Sequence, residues 1–370
     1  MREGFALLAE TLDADACATR VVGGAVRDTL AGLDPKDIDL ATRLLPDEVI
    51  ARLQAAKIKA VPTGIAHGTV TAVLSSGPVE ITTLRRDVST DGRRATVAFT
   101  GDWCEDAARR DFTINALYAD PQSGEVFDYF GGVEDLAAGL VRFIGEPLQR
   151  IAEDHLRILR FFRFHARFGK GVPDRLSLAA CAERANDLMA LSRERIADEL
   201  LKILSLPDPA PTIALMLEHG ILLPVLPEIR SADQLAQLVA RERDQDIAGH
   251  AIRRLASLLP QDPAIAEEVG ARLKLSNVHR KRLVSAASQD GVASDDARAL
   301  AYWIGPEYAV DRLLLGDGDA GAIADWVPPK FPLSGGAIVA RGVSAGPDVA
   351  RILQAVGRQW VVEGFPDEVR

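Results

Sequence analysis

The chain has no apolar run approaching the roughly 18 residues that carry a helix across a bilayer. Its N-terminus, MREGFALLAETLDADAC, has acidic residues where a secretory signal would have a basic region and an apolar core. A membrane-spanning or exported protein is not expected, and the expected location is the cytoplasm. Cysteine is scarce: Cys17, Cys104 and Cys181 are scattered and form no CxxC pair. They make neither a disulfide framework nor a zinc site, so buried thiols in a reducing compartment are expected. A basic surplus is missing too. At a net charge of −10 the chain is not expected to coat nucleic acid indiscriminately. There is no repeat, no low-complexity tract, no GxxxxGK[ST] loop and no GxGxxG fingerprint. The surroundings of His250 and His279 supply no paired histidine–aspartate phosphohydrolase motif, which argues against a fused phosphatase.

What is present describes a folded chain of two or three domains: 370 residues, 48% hydrophobic and 26% charged. Up to about Gly145 the pattern is mixed. Runs rich in Val, Ile and Thr predict strands at Arg20–Val22, Ile38–Leu40, Thr69–Leu74 and Val79–Leu84, the last two joined as a hairpin through Ser75, Ser76, Gly77 and Pro78. Helices are expected after Gly24 and Pro46, and the polar stretch Asp87–Asp102 predicts a mobile loop rather than an element. Beyond Pro147 helical periodicity dominates. Helices are predicted near Leu148–Phe168, Arg175–Met189, Arg193–Leu204, Thr212–His219, Asp233–Ala240, Val278–Ala287 and Val349–Val356. The fold class expected is α+β: a small mixed-sheet head (1–145), a helical neck (146–205) and a helical body and tail (206–370).

Four segments carry chemistry. In VVGGAVRD, Gly23 and Gly24 close a short strand, letting backbone amides approach a phosphate, and Arg27 follows one turn on. A tight turn with Arg27 paired to Asp28 is the plainer alternative. In KDIDLAT, Asp37 and Asp39 lie two apart. On a strand such residues share a face about 6.6 Å apart, so both carboxylates can reach one cluster of hard cations such as magnesium. Simple Asp-rich turn chemistry is the competing explanation. In ARRDFTINAL, Arg110, Asp111 and Asn115 could serve a triphosphate, a ribose hydroxyl and a helix cap, although Asp111 could be only an N-cap. In EDHLR, Asp154 and Arg157 are three apart and predicted to be neighbours on one helix face. An ion pair is the ordinary reading. A carboxylate fixed beside a guanidinium would also match the amino donor and ring-nitrogen acceptor shared by cytosine and adenine, and leave unpaired groups against uracil and guanine. From Arg157 the row continues with Arg160, Arg163 and Arg167 among Phe161, Phe162, Phe164 and Phe168, with few acidic partners beyond Glu153 and Asp154.

In this order, VVGGAVRD, KDIDLAT, EITTLRRD, ARRDFTINAL, AEDHLRILRFFRF and SRERIADELLKIL resemble the class II nucleotidyltransferases, specifically the bacterial CCA-adding tRNA nucleotidyltransferase and poly(A) polymerase family. The resemblance implies a nucleotidyltransferase head, a helical neck, and a body and tail that grip tRNA. It implies addition of C, C and A to a tRNA 3′ end from CTP and ATP, with pyrophosphate leaving and no nucleic-acid template. By matching position, Asp37 and Asp39 would hold two magnesium ions. Gly23, Gly24, Arg27 and Arg110 would contact the nucleotide, with Asp111 near the ribose and Asn115 beside it. Asp154 and Arg157 would template the base, supported by Arg160 and Arg163. Arg193 and the cluster Arg280, Lys281 and Arg282 would meet RNA, although such a cluster can equally serve solubility. The loop Asp87–Asp102 falls where the family's specificity-switching loop lies, which favours an enzyme handling both CTP and ATP. Rivals are a poly(A) polymerase, a CC- or A-adding variant and, from another class, a DxD glycosyltransferase, which has no use for EDHLR or ARRDFTINAL. No obligate protein partner is expected.

Overall fold

The computed structural model describes residues 3–12, 18–90, 95–288 and 296–367, which fall into two compact units. Cys17 lies outside the described residues; Cys104 is exposed rather than buried, and Cys181 is buried as expected.

The first unit comprises Met1–Glu199 and Glu218–Val225. Its strands are β1 (Thr19–Val22), β2 (Asp39–Thr42), β3 (Lys59–Gly64), β4 (Thr69–Leu74), β5 (Gly77–Thr83), β6 (Arg85–Thr90), β7 (Ala95–Phe99), β8 (Leu117–Ala119) and β9 (Val126–Asp128). Seven form one sheet in the order β3-β4-β5-β2-β1-β8-β9, in which only β2 and β5 run parallel. The mixed sheet and the β4–β5 hairpin match expectation. The segment 87–102 does not. Its flanks pair as the antiparallel hairpin β6–β7, with Arg85 opposite Phe99 and Asp87 opposite Val97, while residues 91–94 lie outside the described residues. The sequence missed it because polar residues hide the alternation that marks a strand.

The helices of this unit are α1 (Phe5–Leu12), α2 (Gly24–Leu30), α3 (Pro46–Ala55), α4 (Trp103–Ala108), α5 (Gly132–Ala138), α6 (Pro147–Glu153), α7 (Arg157–Phe168), α8 (Arg175–Glu183) and the start of α9 (Arg193–Leu204). Strand alternation divides the sheet into two faces. Leu40 joins Phe5, Leu8, Val49 and Leu53 from α1 and α3 in one core. Val22 and Ala41 join Trp103, Ala107 and Tyr118 in the other. Asp39 belongs to this second face but lies open to solvent at the strand's first position. On α7 the spacing of Ile158, Leu159, Phe161, Phe162, Phe164 and Phe168 buries an apolar stripe. Phe161 and Phe164 pack on Phe112 at 6.4 and 5.4 Å, and Phe143 stacks on Phe161 at 6.0 Å. Burying each ring contributes about 1.5–3 kcal/mol, and the cluster seats α7 on the segment that carries Asp111.

The helix predicted over Leu148–Phe168 is broken. Asp154 caps α6 with φ −151° and ψ 106°, an extended conformation, and α7 begins only at Arg157.

The second unit, Leu200–Leu217 with Leu226–Arg370, is helical among its described residues. It contains α10 (Ala210–Glu218), α11 (Asp233–Asp244), α12 (Ala251–Ser257), α13 (Pro263–Arg272), α14 (Asn277–Ala287), α15 (Ala297–Ile304), α16 (Pro306–Leu315), α17 (Gly335–Ala340) and α18 (Pro347–Val362). Leu238, Leu300, Ala309, Leu313 and Leu314 form its main core.

Candidate active site

Strand register assembles the acidic end of the site. Asp39 pairs with Val22 on one side and, in parallel, with Glu80 on the other, so it sits between the glycine turn and a second carboxylate. Asp37 lies before β2 begins, not on it, so the same-face argument from a continuous strand does not hold as stated. Electrostatics still link the two. Although the residue is exposed, partial loss of water around its carboxyl raises Asp39 above its ordinary range, and the like charges of Glu80 and Asp37 add to this, while Arg110 opposes. Carboxylates that feel one another's charge suit a hard divalent cation, which would relieve that repulsion. No group of three or more His, Cys, Asp and Glu among the described residues forms a ready-made metal cage. A cation here would need oxygens from elsewhere, as phosphate-bound magnesium does. Glu80 was not singled out from sequence, because only sheet pairing brings it beside Asp39.

Two guanidiniums flank the glycine turn. Gly23 has φ +67° and ψ −117°, a conformation that L side chains avoid. A side chain there would meet Arg110 Nη1 at 3.4 Å, and one at Gly24 would meet Arg27 Nη2 at 3.6 Å. Arg110 is held by Asp106, whose Oδ2 accepts from Arg110 Nη2 at 3.1 Å and from the Tyr118 hydroxyl at 2.7 Å. Burial works against an ionised Asp106, but Arg110 and Arg109 overcome it and hold the carboxyl well below the usual range. Arg27 is buried. Its Nε and Nη2 both donate to Asp28 Oδ1, at 2.9 and 2.6 Å, and its Nη1 donates to Asn115 Oδ1. The Arg27–Asp28 pair weighed from sequence is therefore real. Asn115 continues the chain by donating to Asp111 Oδ1 at 3.0 Å.

Asp111 caps no helix with its side chain: the short helical turn at Thr113–Asn115 follows Phe112. Its Oδ2 accepts from Arg160 at 2.7 Å. Burial would raise this carboxyl, but Arg160 and Asn115 bring it down to about 2. The arginine row on α7 is not short of acidic partners, as the sequence suggested. Arg157 pairs with Glu153 at 2.7 Å, Arg160 with Asp111 at 2.6 Å, Arg163 with Glu199 at 2.6 Å and Arg167 with Asp28 at 2.9 Å. Three of these four partners come from distant segments, which a reading along the helix could not find.

Asp154 and Arg157 do not pair on one helix face, because the chain is extended at Asp154. Asp154 instead accepts from Arg195 at 2.8 and 3.1 Å and from its own Leu156 N–H at 3.1 Å. Arg157 donates from Nη1 to Glu153 and the Arg150 carbonyl, and from Nη2 to the Arg109 carbonyl. Five donors serve three acceptors, so its outer edge keeps hydrogen-bonding capacity.

Of the expected RNA contacts, Arg193 opens α9 half-buried, with its Nη1 lacking a hydrogen-bond partner. In the second unit Lys281 is exposed and Arg280 is paired with Glu267. Arg282 turns inward to Asp311 at 2.6 Å.

A mixed sheet presenting an acidic pair beside a glycine turn, backed by an arginine-bearing helix, defines a nucleotide-transferring enzyme of the nucleotidyltransferase class. Family models agree: one for the poly A polymerase head domain matches residues 19–142, and one described as a probable RNA and SrmB-binding site of polymerase A matches residues 174–233. The chain is 35% identical over 387 residues to CCA tRNA nucleotidyltransferase 1, mitochondrial, of Mus musculus, covering 98% of this chain and 87% of that one. The Homo sapiens protein of the same name is 36% identical over 392 residues, covering 99% and 88%. Among solved structures, the Bacillus stearothermophilus CCA-adding enzyme in complex with CTP superposes with a TM-score of 0.79 at 27% identity, covering 98% of this chain and 94% of that one. The chain belongs to the CCA-adding tRNA nucleotidyltransferase family.

Proposed function

We propose that this chain adds C, C and A in turn to the 3′ end of tRNA, using CTP and ATP without a nucleic-acid template. The observation that carries the reading is the convergence of the Asp37–Asp39 pair, the Gly23–Gly24 turn and the Arg27 and Arg110 guanidiniums at one end of the sheet. Family membership supports it.

Asp37 and Asp39 would hold two magnesium ions, which when bound supply neutralisation of charge at the reacting α-phosphate and the leaving pyrophosphate. The terminal tRNA hydroxyl attacks that phosphate, so the protein's work is positioning and electrostatic complementarity. In this reading the amides of Gly23 and Gly24 and the side chains of Arg27 and Arg110 receive the triphosphate. Asp111, kept ionised by Arg160, and Asn115 face the ribose. Asp154 offers an acceptor and Arg157 donors to the base, a pattern that suits C and A. Arg195 and Glu153 hold those two in separate orientations, and Arg163 braces α7 against Glu199. Arg193, Arg280, Lys281 and Arg282 are assigned to tRNA; the inward pairing of Arg282 favours an indirect part for it. The domain reading is a head of 1–145, a neck of 146–205 and an RNA-binding body and tail of 206–370. No helix among the described residues is long and apolar enough to cross a membrane. A cytoplasmic location belongs to the same reading and is set beside relatives whose names place them in mitochondria.

The test is incubation with tRNA lacking its last three nucleotides and each nucleoside triphosphate singly and together. Growth by three residues with CTP plus ATP is expected. Growth by two only, by one only, or by a long tail would reassign the chain to a CC-adding, an A-adding or a poly(A)-forming variant, and no growth would refute the reading.

A further inference from the structure

The reading above gives a task to every arginine on α7 except Arg167, yet Arg167 is tied to the site. Its Nη2 lies 2.9 Å from Asp28 Oδ2, the oxygen that Arg27 does not use. Both donors from Arg27 fall on Asp28 Oδ1. The Phe168 ring lies against both guanidiniums, with Arg27 Cζ at 4.4 Å and Arg167 Cζ at 4.9 Å from its centroid. Asp28 is buried while the Arg167 side chain is one-third exposed, so one carboxylate is shared between an inner and an outer cation.

We propose that Arg167 is a positioning residue for the incoming triphosphate, acting through Asp28 to keep Arg27 turned toward the glycine turn. The inference rests on the reading of Arg27 as a triphosphate contact. Two physical arguments support it. The first is charge. The relay runs Arg167–Asp28–Arg27–Asn115–Asp111–Arg160, three arginines against two aspartates, which leaves one surplus positive charge. Without Arg167 this relay is neutral, so a polyanion arriving at Gly24 meets one positive charge fewer. The second is geometry. A carboxylate with both oxygens available takes an arginine in a two-oxygen fork. Arg167 occupies Oδ2 and so prevents that fork, which would draw Arg27 Nη2 away from the space beneath Gly24.

The experiment uses the full chain and compares Arg167→Met with Arg167→Lys. It reads KM for CTP, for ATP and for truncated tRNA, kcat, inhibition by pyrophosphate, and the thermal midpoint. Arg167→Met should raise KM for CTP and ATP about tenfold each, with their ratio unchanged. The pyrophosphate inhibition constant should rise in parallel and KM for tRNA should not move. Arg167→Lys should restore most of the loss, since a charge at that place still engages Oδ2. Unchanged triphosphate KM values overturn the proposal. So does a loss spread equally over kcat and both substrates with a lowered thermal midpoint, because that marks a mere anchor of α7. Should the Met variant fail to fold, Arg167→Gln replaces it with the same expectation, and wild-type triphosphate KM values in it overturn the proposal. A wild-type chain that incorporates neither CTP nor ATP defeats the functional reading itself, whereas an active wild type with an indifferent Arg167 variant defeats only this inference.

Discussion

Arginine–carboxylate chains run through the interior of both units, and they end differently. In the second unit Glu242 accepts from Arg253 at 2.7 Å and Arg254 at 2.8 Å, and Asp311 accepts from Arg253 at 2.8 Å and Arg282 at 2.6 Å. Arg254 also donates to the carbonyls of Leu204 and Leu206, and exposed Glu307 lies 3.5 Å from Arg282. Three arginines meet three carboxylates, so the network is balanced, and its outer end is a carboxylate. In the first unit the relay carries one more cation than anion and ends on Arg160 and Arg167, each about one-third exposed. The exposed Asp37 and Asp39 stand in the same unit, where Asp39 feels the charges of Glu80 and Asp37. A balanced network that is buried apart from one carboxylate suits holding helices together. An unbalanced one, with cations at its open ends, suits a charged ligand, so under the proposed function the same residue types serve architecture in one place and chemistry in the other.

The comparison can be pressed by substitution. The largest effect is expected at the open end. Asp39→Ala or Asp37→Ala should lower the rate of nucleotide incorporation by about a thousandfold or more, with tRNA affinity retained in a binding assay. Near-normal turnover in either would remove the acids from the chemistry. At the closed end, Glu242→Ala leaves Arg253 and Arg254 buried with one partner fewer and should cost about 3–5 kcal/mol in urea unfolding. Activity per folded molecule should be preserved; a selective loss of kcat without loss of stability would break the distinction between the two networks.

Asp111 tests the boundary case, a buried pair inside the open relay. Its folded carboxyl, near 2, lies below the unfolded value of about 3.9. The pair therefore contributes stability that is complete above about pH 5 and is lost as pH falls through about 2, a span worth about 2–3 kcal/mol. Urea unfolding at pH 5 and pH 3 should show about half of that loss in the wild type and a flatter dependence in Asp111→Asn. The smallest effect is expected in nucleotide choice. Asp154→Ala should cut the preference for C and A over U and G by about tenfold, read from single-nucleotide incorporation. Unchanged preference would mean that Asp154 serves only Arg195.

Much of this was legible along the chain, and the limits have physical causes. Short-range signals worked: the glycine turn into α2, Pro46 opening α3, the β4–β5 hairpin and the apolar stripe of α7 are each decided within about ten residues. The missed strands lack that local signature. β3, KAVPTG, contains Pro62 and Gly64, and β8 and β9 have three residues each, too few for alternation to register. In the candidate site, the sequence offered candidate residues but not the partners that folding gives them. Arg27 with Asp28 is a neighbour contact and was foreseen. Arg195 with Asp154, Arg160 with Asp111 and Glu80 with Asp39 join positions 41 or more residues apart, and only folding brings them together. The break at Asp154 misled the helix-face argument, since Glu153 and His155 on either side suit a continuous helix.

Under the proposed function, Asp37 and Asp39 hold divalent cations beside a bound triphosphate. Water-proton relaxation with Mn²⁺ and CTP measures this directly, because relaxation is enhanced when the protein immobilises the metal–nucleotide pair. The full chain should enhance relaxation strongly, and the Asp37→Ala/Asp39→Ala variant should abolish the enhancement while still binding tRNA. Equal enhancement in wild type and variant would contradict the account.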